Sequence, residues 1–292
     1  MSQNDSSVAA NGAGTAALIR TGLIGMDIQG SRSPAMHMGE AAAQGVALRY
    51  ELLDLATGGR SADDLSETLT EVQAEGFSGV NVTHPFKQAV MSYLDRLSPE
   101  AEAIGAVNTV VFEAGKRVGY NTDSSGFAEG FERQLAGADL TRVVQLGAGG
   151  AGAATAMAMC HLGCHELVIA DRQADRARDL VARLPGNATN FRVRLASSDL
   201  AAELAGASGL INATPIGMEG YPGSPIDVAL LRPGLWVADV VYFPLETQLL
   251  KAAAALGCRT AHGGDMAVFQ AARAFDLFTG RHADRQRMSA NF

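Results

Sequence analysis

Four polar clusters stand at the ends of apolar runs in the first 123 residues: Ser31-Arg32-Ser33-Pro34, Asn81-Val82-Thr83-His84-Pro85-Phe86-Lys87, Ala106-Val107-Asn108-Thr109 and Asn121-Thr122-Asp123. Lys87 is the only lysine among the first 115 residues. It follows Pro85-Phe86, where a helix is expected to begin, an unusual place for a solubilising charge. An amine such as Lys87, or a carboxylate such as Asp123, is a residue type able to accept a proton and return it. Burial favours the neutral amine and a nearby carboxylate favours the ammonium. Ser31 and Ser33 precede a helix and can offer hydroxyl and N–H groups to a carboxylate. Asn81, Thr83 and Asn108, expected to follow buried strands, can aim amides and hydroxyls at a polyhydroxy ring, since sites are built on loops held by a rigid scaffold. The plainer alternative makes Lys87 a surface residue at a helix start and Asp123 the N-cap of the next helix.

A second chemistry is written at Gly147-Ala148-Gly149-Gly150-Ala151-Gly152. Glycine patterns arise by chance in a chain with 33 glycines, so context decides. This one follows a predicted strand, Arg142 to Leu146, and opens a small-residue helix, Ala153 to Leu162. An acid, Asp171, comes 19 positions after Gly152. That is the dinucleotide fingerprint: a tight turn, a close backbone approach to pyrophosphate, and close helix–strand packing. Free N–H groups at the helix start meet the phosphate charge. A carboxylate at Asp171 accepts bonds from ribose hydroxyls and repels a 2′-phosphate, which favours NAD. Arg172 beside it could receive that phosphate, which keeps NADP as the alternative.

These groups need elements to position them, and the chain alternates strand and helix. Strands are predicted at 18–25, 48–54, 79–82, 106–112, 117–120, 142–146, 166–170, 191–195, 209–212 and 236–240. Helices are predicted over 34–44, with Ser33 as N-cap, and over 62–74, 86–94, 153–162 and 266–279. The fold class is α/β, with an N-terminal α/β substrate-binding domain and a doubly wound parallel-sheet (Rossmann) domain. The predicted boundaries are a tail over 1–17, a substrate domain from 18–122 plus 263–292, and a cofactor domain over 123–262.

Composition narrows the classes. Apolar residues make up 47% and charged residues 18%, enough for packed cores rather than a disordered chain. The net charge of −8 and the absence of a basic run argue against nucleic acid. No apolar run reaches membrane-span length, and residues 1–17 lack the features of a signal peptide, so a cytoplasmic setting is expected. Three cysteines cannot all pair. Cys160-His161 and Cys164-His165 look like a metal cluster, but free thiols packed at a helix end are the better reading, and no metal is expected.

Taken together, SRSPAMH from Ser31, NVTHPFK from Asn81, GAVNTV from Gly105, GYNTDSSGF from Gly119, GAGGAG from Gly147, INATPIGM from Ile211, DVVYFP from Asp239 and GGDMAVFQAARAF from Gly263 resemble the shikimate/quinate dehydrogenase family. The DVVYFPLETQLLKAA stretch and Asp171 look most like its bacterial NAD-using quinate/shikimate branch. The resemblance implies reversible NAD(P)-dependent oxidation of the ring C3 hydroxyl of shikimate, and of quinate as well. It implies Lys87 and Asp123 as the catalytic pair. Ser31 and Ser33 would sit on the substrate carboxylate, Asn81, Thr83, Asn108 and Gln270 on the hydroxyls, and Tyr242 would close over the ring. Asn212, Ala213, Thr214 and Val240 would line the cofactor beyond its phosphates, with Gly263 and Met266 near the nicotinamide. A monomer or homodimer is expected. Two alternatives remain: an enzyme for another ring acid, such as an aminoshikimate, or a non-catalytic sensor, which should have lost the lysine or aspartate.

Overall fold

The computed structural model describes residues 18–57, 59–185 and 191–292. The tail expected over 1–17 lies outside the described residues. Two six-stranded sheets carry the architecture.

The first sheet is built from β1 (Ile19–Gly25), β2 (Leu48–Asp54), β3 (Gly79–Val82), β4 (Arg96–Leu97), β5 (Thr109–Glu113) and β6 (Lys116–Tyr120), in the order β2-β1-β3-β5-β6-β4. Its first three strands are parallel, and β5 runs antiparallel to both neighbours. Helices α1 (Ser33–Ala43), α2 (Leu65–Ala74) and α3 (Pro99–Ile104) connect these strands, and α4 (Asp123–Leu135) leaves the sheet.

The second sheet contains β7 (Arg142–Leu146), β8 (Glu166–Ala170), β9 (Arg192–Leu195), β10 (Gly209–Asn212), β11 (Trp236–Asp239) and β12 (Thr260–Ala261). Its order is β12-β11-β10-β7-β8-β9, all parallel. This is the doubly wound order expected from the sequence, with its switch point between β7 and β10. Helices α5 (Gly150–His161), α6 (Ala174–Arg183), α7 (Leu200–Ala205) and α8 (Gln248–Ala255) join the strands. The chain then returns to the first sheet through α9 (Gly264–Thr279) and α10 (Arg285–Ala290).

The long helices α4 and α9 pack along one another between the sheets, and glycine makes the approach possible. A Cβ on Gly126 would stand 2.6 Å from the Gln270 nitrogen, and one on Gly130 would stand 3.0 Å from the Asp265 Cβ. Phe127 and Phe131 on the other side of α4 join the core of the second sheet with Met157, Leu167 and Trp236. Helix α10 is pinned to α1 by Glu40, which is fully buried and accepts from Arg287 Nε and Nη2, both at 2.8 Å.

Three local expectations are corrected. Residues 86–94 form one turn and a short 3₁₀ segment, Ala89–Tyr93, rather than an α-helix. The Lys87 carbonyl accepts from Val107 N at 2.7 Å, so it cannot extend a helical ladder. Helix α1 begins at Ser33 itself, with Arg32 in the cap position. Ser31 supplies the oxygen that receives the Ser33 N–H, at 3.3 Å. Asn81 lies within β3 and Asn108 just before β5, because the β3–β5 pairing closes at Asn81 opposite Thr109.

Candidate active site

The C-terminal ends of both sheets face one cleft. On the first side, Lys87 Nζ donates to Asp123 Oδ2 at 2.6 Å. The lysine side chain keeps 27% of its surface exposed and the aspartate 7%, so the ammonium is reachable while its partner is sheltered. Asp123 is fixed from several directions. It opens α4, its N–H donates to Asn121 Oδ1 at 3.0 Å, and Asn121 Nδ2 donates to Ala106 O at 3.0 Å. Asn108 Nδ2 donates to Asp123 Oδ1 at 2.9 Å and also to Thr122 Oγ1 at 2.9 Å. The sheltered carboxylate thus keeps its bonds on both oxygens, as buried charge requires.

Around the pair, Gln270 Oε1 on α9 stands 3.5 Å from Asn108 Nδ2 and 3.4 Å from Thr122 Oγ1. Asn81 Nδ2 donates to Thr109 Oγ1 at 3.0 Å and to Asn108 O at 3.3 Å. Its Oδ1 accepts from the Tyr50 hydroxyl at 2.8 Å. Both amide hydrogens of Asn81 are therefore used within the protein, and what it can offer a ring hydroxyl is the second lone pair of Oδ1. The sequence reading missed Tyr50. It is a buried residue in the middle of β2, and only the strand order brings it to Asn81. Burial pushes its phenol well above the usual range, tempered by the Ser33 hydroxyl. That interaction sets Ser33 beside the same network. Thr83 is half-buried, with its methyl against Gly25, where a Cβ would stand 2.5 Å from it. His84 is exposed.

Across the cleft, the glycine turn lies at the switch point of the second sheet. Gly147 has φ +100°, a conformation that favours glycine, and a Cβ there would stand 2.5 Å from Ala213 O. Gly149 has open space where a Cβ would point. Helix α5 starts directly after it with no side-chain cap, so the N–H groups of Gly150, Ala151 and Gly152 face the opening. A Cβ on Gly150 would stand 4.0 Å from Lys87 Cδ, which sets the amine directly opposite the turn. Asp171 directly follows β8 and accepts from Ala148 N and Gln173 N, both at 2.7 Å, while Arg172 beside it is exposed.

The loops after β10, β11 and β12 are laced together. Val240 N donates to Asn212 O at 3.0 Å, and Gly263 N donates to Val241 O at 3.2 Å. Asn212 is buried and its amide is used locally: Nδ2 donates to Asp239 Oδ1 at 2.9 Å and to Ile216 O at 3.0 Å, and Oδ1 receives Thr214 N–H and Oγ1–H. Asn212 thus shapes this wall through its side chain. Met266 lies in the first turn of α9, partly buried. Tyr242 packs on Phe243 and Phe292 with ring centroids at 5.7 and 6.0 Å. Cys164 is buried, its Sγ donates to Glu166 O at 3.3 Å, and burial pushes its thiol up to about 12, so it packs as a neutral group. Among the described residues no group of three or more His, Cys, Asp or Glu is arranged to hold a metal ion. No helix among them is long and apolar enough to cross a membrane.

A glycine turn at the switch point of a doubly wound sheet, facing an amine–carboxylate pair on a second α/β domain, defines a two-domain dehydrogenase. Residues 23–110 match the model of the shikimate dehydrogenase substrate-binding domain. The shikimate dehydrogenase (NADP(+)) of Streptomyces avermitilis is 51% identical over 271 residues, covering 92% of this chain and 93% of the relative. The quinate/shikimate dehydrogenase (NAD(+)) of Corynebacterium efficiens is 46% identical over 276 residues, covering 94% and 97%. The solved quinate dehydrogenase of Corynebacterium glutamicum in complex with NAD superimposes with a TM-score of 0.89 at 46% identity, covering 94% of this chain and 98% of that one. The chain belongs to the shikimate/quinate dehydrogenase family, as its motifs led us to expect.

Proposed function

We propose that this protein reversibly oxidises a ring hydroxyl of shikimate, and of quinate as well, using NAD in preference to NADP. The observation that carries the reading is the 2.6 Å Lys87–Asp123 pair set opposite the glycine turn. We assign substrate binding to residues 18–122 plus 263–292 and cofactor binding to residues 123–262.

The cofactor half fits a dinucleotide. The open face at Gly149 and the uncapped start of α5 suit a pyrophosphate, and the anchored carboxylate of Asp171 suits a ribose diol. When bound, the nicotinamide supplies hydride acceptance and donation. The protein's own residues do the rest. Lys87 Nζ takes the hydroxyl proton during oxidation and gives it back during reduction. Asp123 holds the amine and the same hydroxyl in one plane of approach, and Asn108 keeps the carboxylate from rotating. Asn81 Oδ1 and Gln270 accept from the other ring hydroxyls, and the Ser31 and Ser33 hydroxyls donate to the ring carboxylate.

Support for NAD comes from the carboxylate at the end of β8, which would repel a 2′-phosphate. Arg172 and the NADP named for the Streptomyces relative weigh the other way. Steady-state rates with shikimate and quinate, each with NAD and NADP, test the whole reading. The expected result is turnover of both acids with a larger kcat/KM for NAD. Binding of NAD without turnover of either acid would refute the substrate assignment.

A further inference from the structure

Arg32 lies between the two serines assigned to the carboxylate, yet its side chain is committed elsewhere. Its guanidinium donates to the main-chain oxygen of Phe292 and lies over the Phe243 ring, 5.4 Å from the centroid. These two partners belong to different bodies. Phe292 follows α10, which Arg287 and Glu40 pin to α1, and the Asn291 side chain fills the notch at Gly39, where a Cβ would stand 2.8 Å from it. Phe243 follows β11 of the second sheet, and its carbonyl accepts from Glu219 N at 3.0 Å. Tyr242 completes the contact, packed between Phe243 and Phe292.

The arrangement therefore crosses the mouth of the cleft. It does little for core stability, because Tyr242 and Phe243 remain 46% and 41% exposed. Its consequence is geometric. The loop that carries Ser31 and Ser33 and the loop that carries Tyr242 are joined through one arginine. Movement of either serine is felt at Tyr242, and opening of the cleft must part the cation from the ring.

We propose that Arg32, Phe243 and Phe292 form a clasp across the cleft, in which Arg32 is a positioning residue that couples the seating of an anionic substrate to the placement of Tyr242 over it. The substrate's identity in this proposal rests on the functional reading above; the clasp itself does not.

The test compares Arg32→Met, Phe243→Leu, the double variant and Arg32→Lys by steady-state kinetics with shikimate and NAD. The Leu variant keeps apolar bulk but removes the ring face. Each of the first two is expected to raise KM for shikimate about two- to fivefold, the size of an exposed cation–π contact. KM for NAD and the melting temperature should stay unchanged. The double variant should lose less than the product of the two singles, because both remove the same cation–ring contact and only Arg32→Met also frees the Phe292 oxygen. Arg32→Lys, which keeps a cation able to reach the ring, should return KM toward the wild-type value. A raised KM in Arg32→Met with Phe243→Leu silent, or a multiplicative double variant, would show that Arg32 acts on the substrate by charge alone and would overturn the clasp. Wild-type KM in both singles overturns it too. Should the wild-type enzyme turn over neither acid, the functional reading fails, and amide exchange decides the clasp separately. Faster exchange over residues 241–247 in Arg32→Met supports it, and unchanged exchange refutes it.

Discussion

Replacing Gly152 by alanine adds one methyl at the place where α5 lies against the turn after β7. The new Cβ would stand 2.7 Å from the Gly147 carbonyl carbon, closer still to its oxygen, and 3.3 Å from Gln145 Nε2. Carbon contacts settle near 3.5 Å, so the helix must back away by about 1 Å. A Cβ has no rotamer with which to avoid this. The movement stretches the buried bonds from Gln145 Nε2 to Gly147 O, at 3.0 Å, and to Gly152 O, at 2.8 Å. Overpacking of this kind costs about 1–3 kcal/mol. For a chain of this size that lowers Tm by roughly 2–10 °C. The same displacement carries the first N–H groups of α5 away from the phosphates. Losing one charge-assisted bond, about 1.5–3 kcal/mol, weakens NAD binding by roughly 10- to 100-fold. Gly149→Ala is the control. Its Cβ meets nothing within 4 Å and its φ of −75° suits alanine, so Tm should hold while NAD binding alone weakens. Thermal melts and titration of reduced-cofactor fluorescence read both quantities. A Gly152→Ala protein with wild-type Tm and affinity, or a Gly149→Ala protein that melts early, would refute the reasoning.

Two further outcomes follow from the buried groups beneath the site. Tyr50→Phe leaves Asn81 Oδ1 without its donor; a stability loss of about 1–3 kcal/mol is expected, together with a higher KM for shikimate and an unchanged KM for NAD, and equal KM values for both would count against the network. His37 is fully buried, with both ring nitrogens unpartnered and its ring 4.6 Å from that of Tyr50, and burial lowers its pKa from 6.5 to about 3. The unfolded chain therefore takes up the proton first as pH falls, so the stability tied to the neutral ring is complete above pH 6.5 and is lost progressively toward pH 3. By pH 5 the loss is about 2 kcal/mol. Urea unfolding at pH 7 and pH 5 should show His37→Leu losing less stability than wild type, and identical losses would contradict the assignment.

The β7–α5–β8 unit was legible because its signals are local: a strand, a glycine turn, a helix and an acid in fixed spacing. The strand order of the second sheet followed from that unit and the alternation after it. The first sheet was harder to read. The approach of Tyr50 to Asn81 depends on β2, β1 and β3 lying side by side, and that of Asn108 to Asp123 on the β5–β6 pairing, which no short window of sequence records. The helix predicted over 86–94 failed for a long-range reason as well, since the Val107 N–H takes the Lys87 carbonyl. The motif at Ile211 drew attention to Asn212, whose buried amide also braces Asp239 and the following loop, bonds that the motif alone does not record. Arg32 drew no role from the sequence, because its partners lie 211 and 260 positions away.

Lys87 and Asp123 should handle the proton of the substrate alcohol as one unit. The most direct measurement is kcat for Lys87→Met, Asp123→Asn and the double variant, at saturating shikimate and NAD, with folding checked by melting. Each single variant should lose about 10²- to 10⁴-fold in kcat, as removal of a general acid–base does, and the double variant should be little worse than either single. A folded Lys87→Met protein that turns over within tenfold of wild type would contradict it.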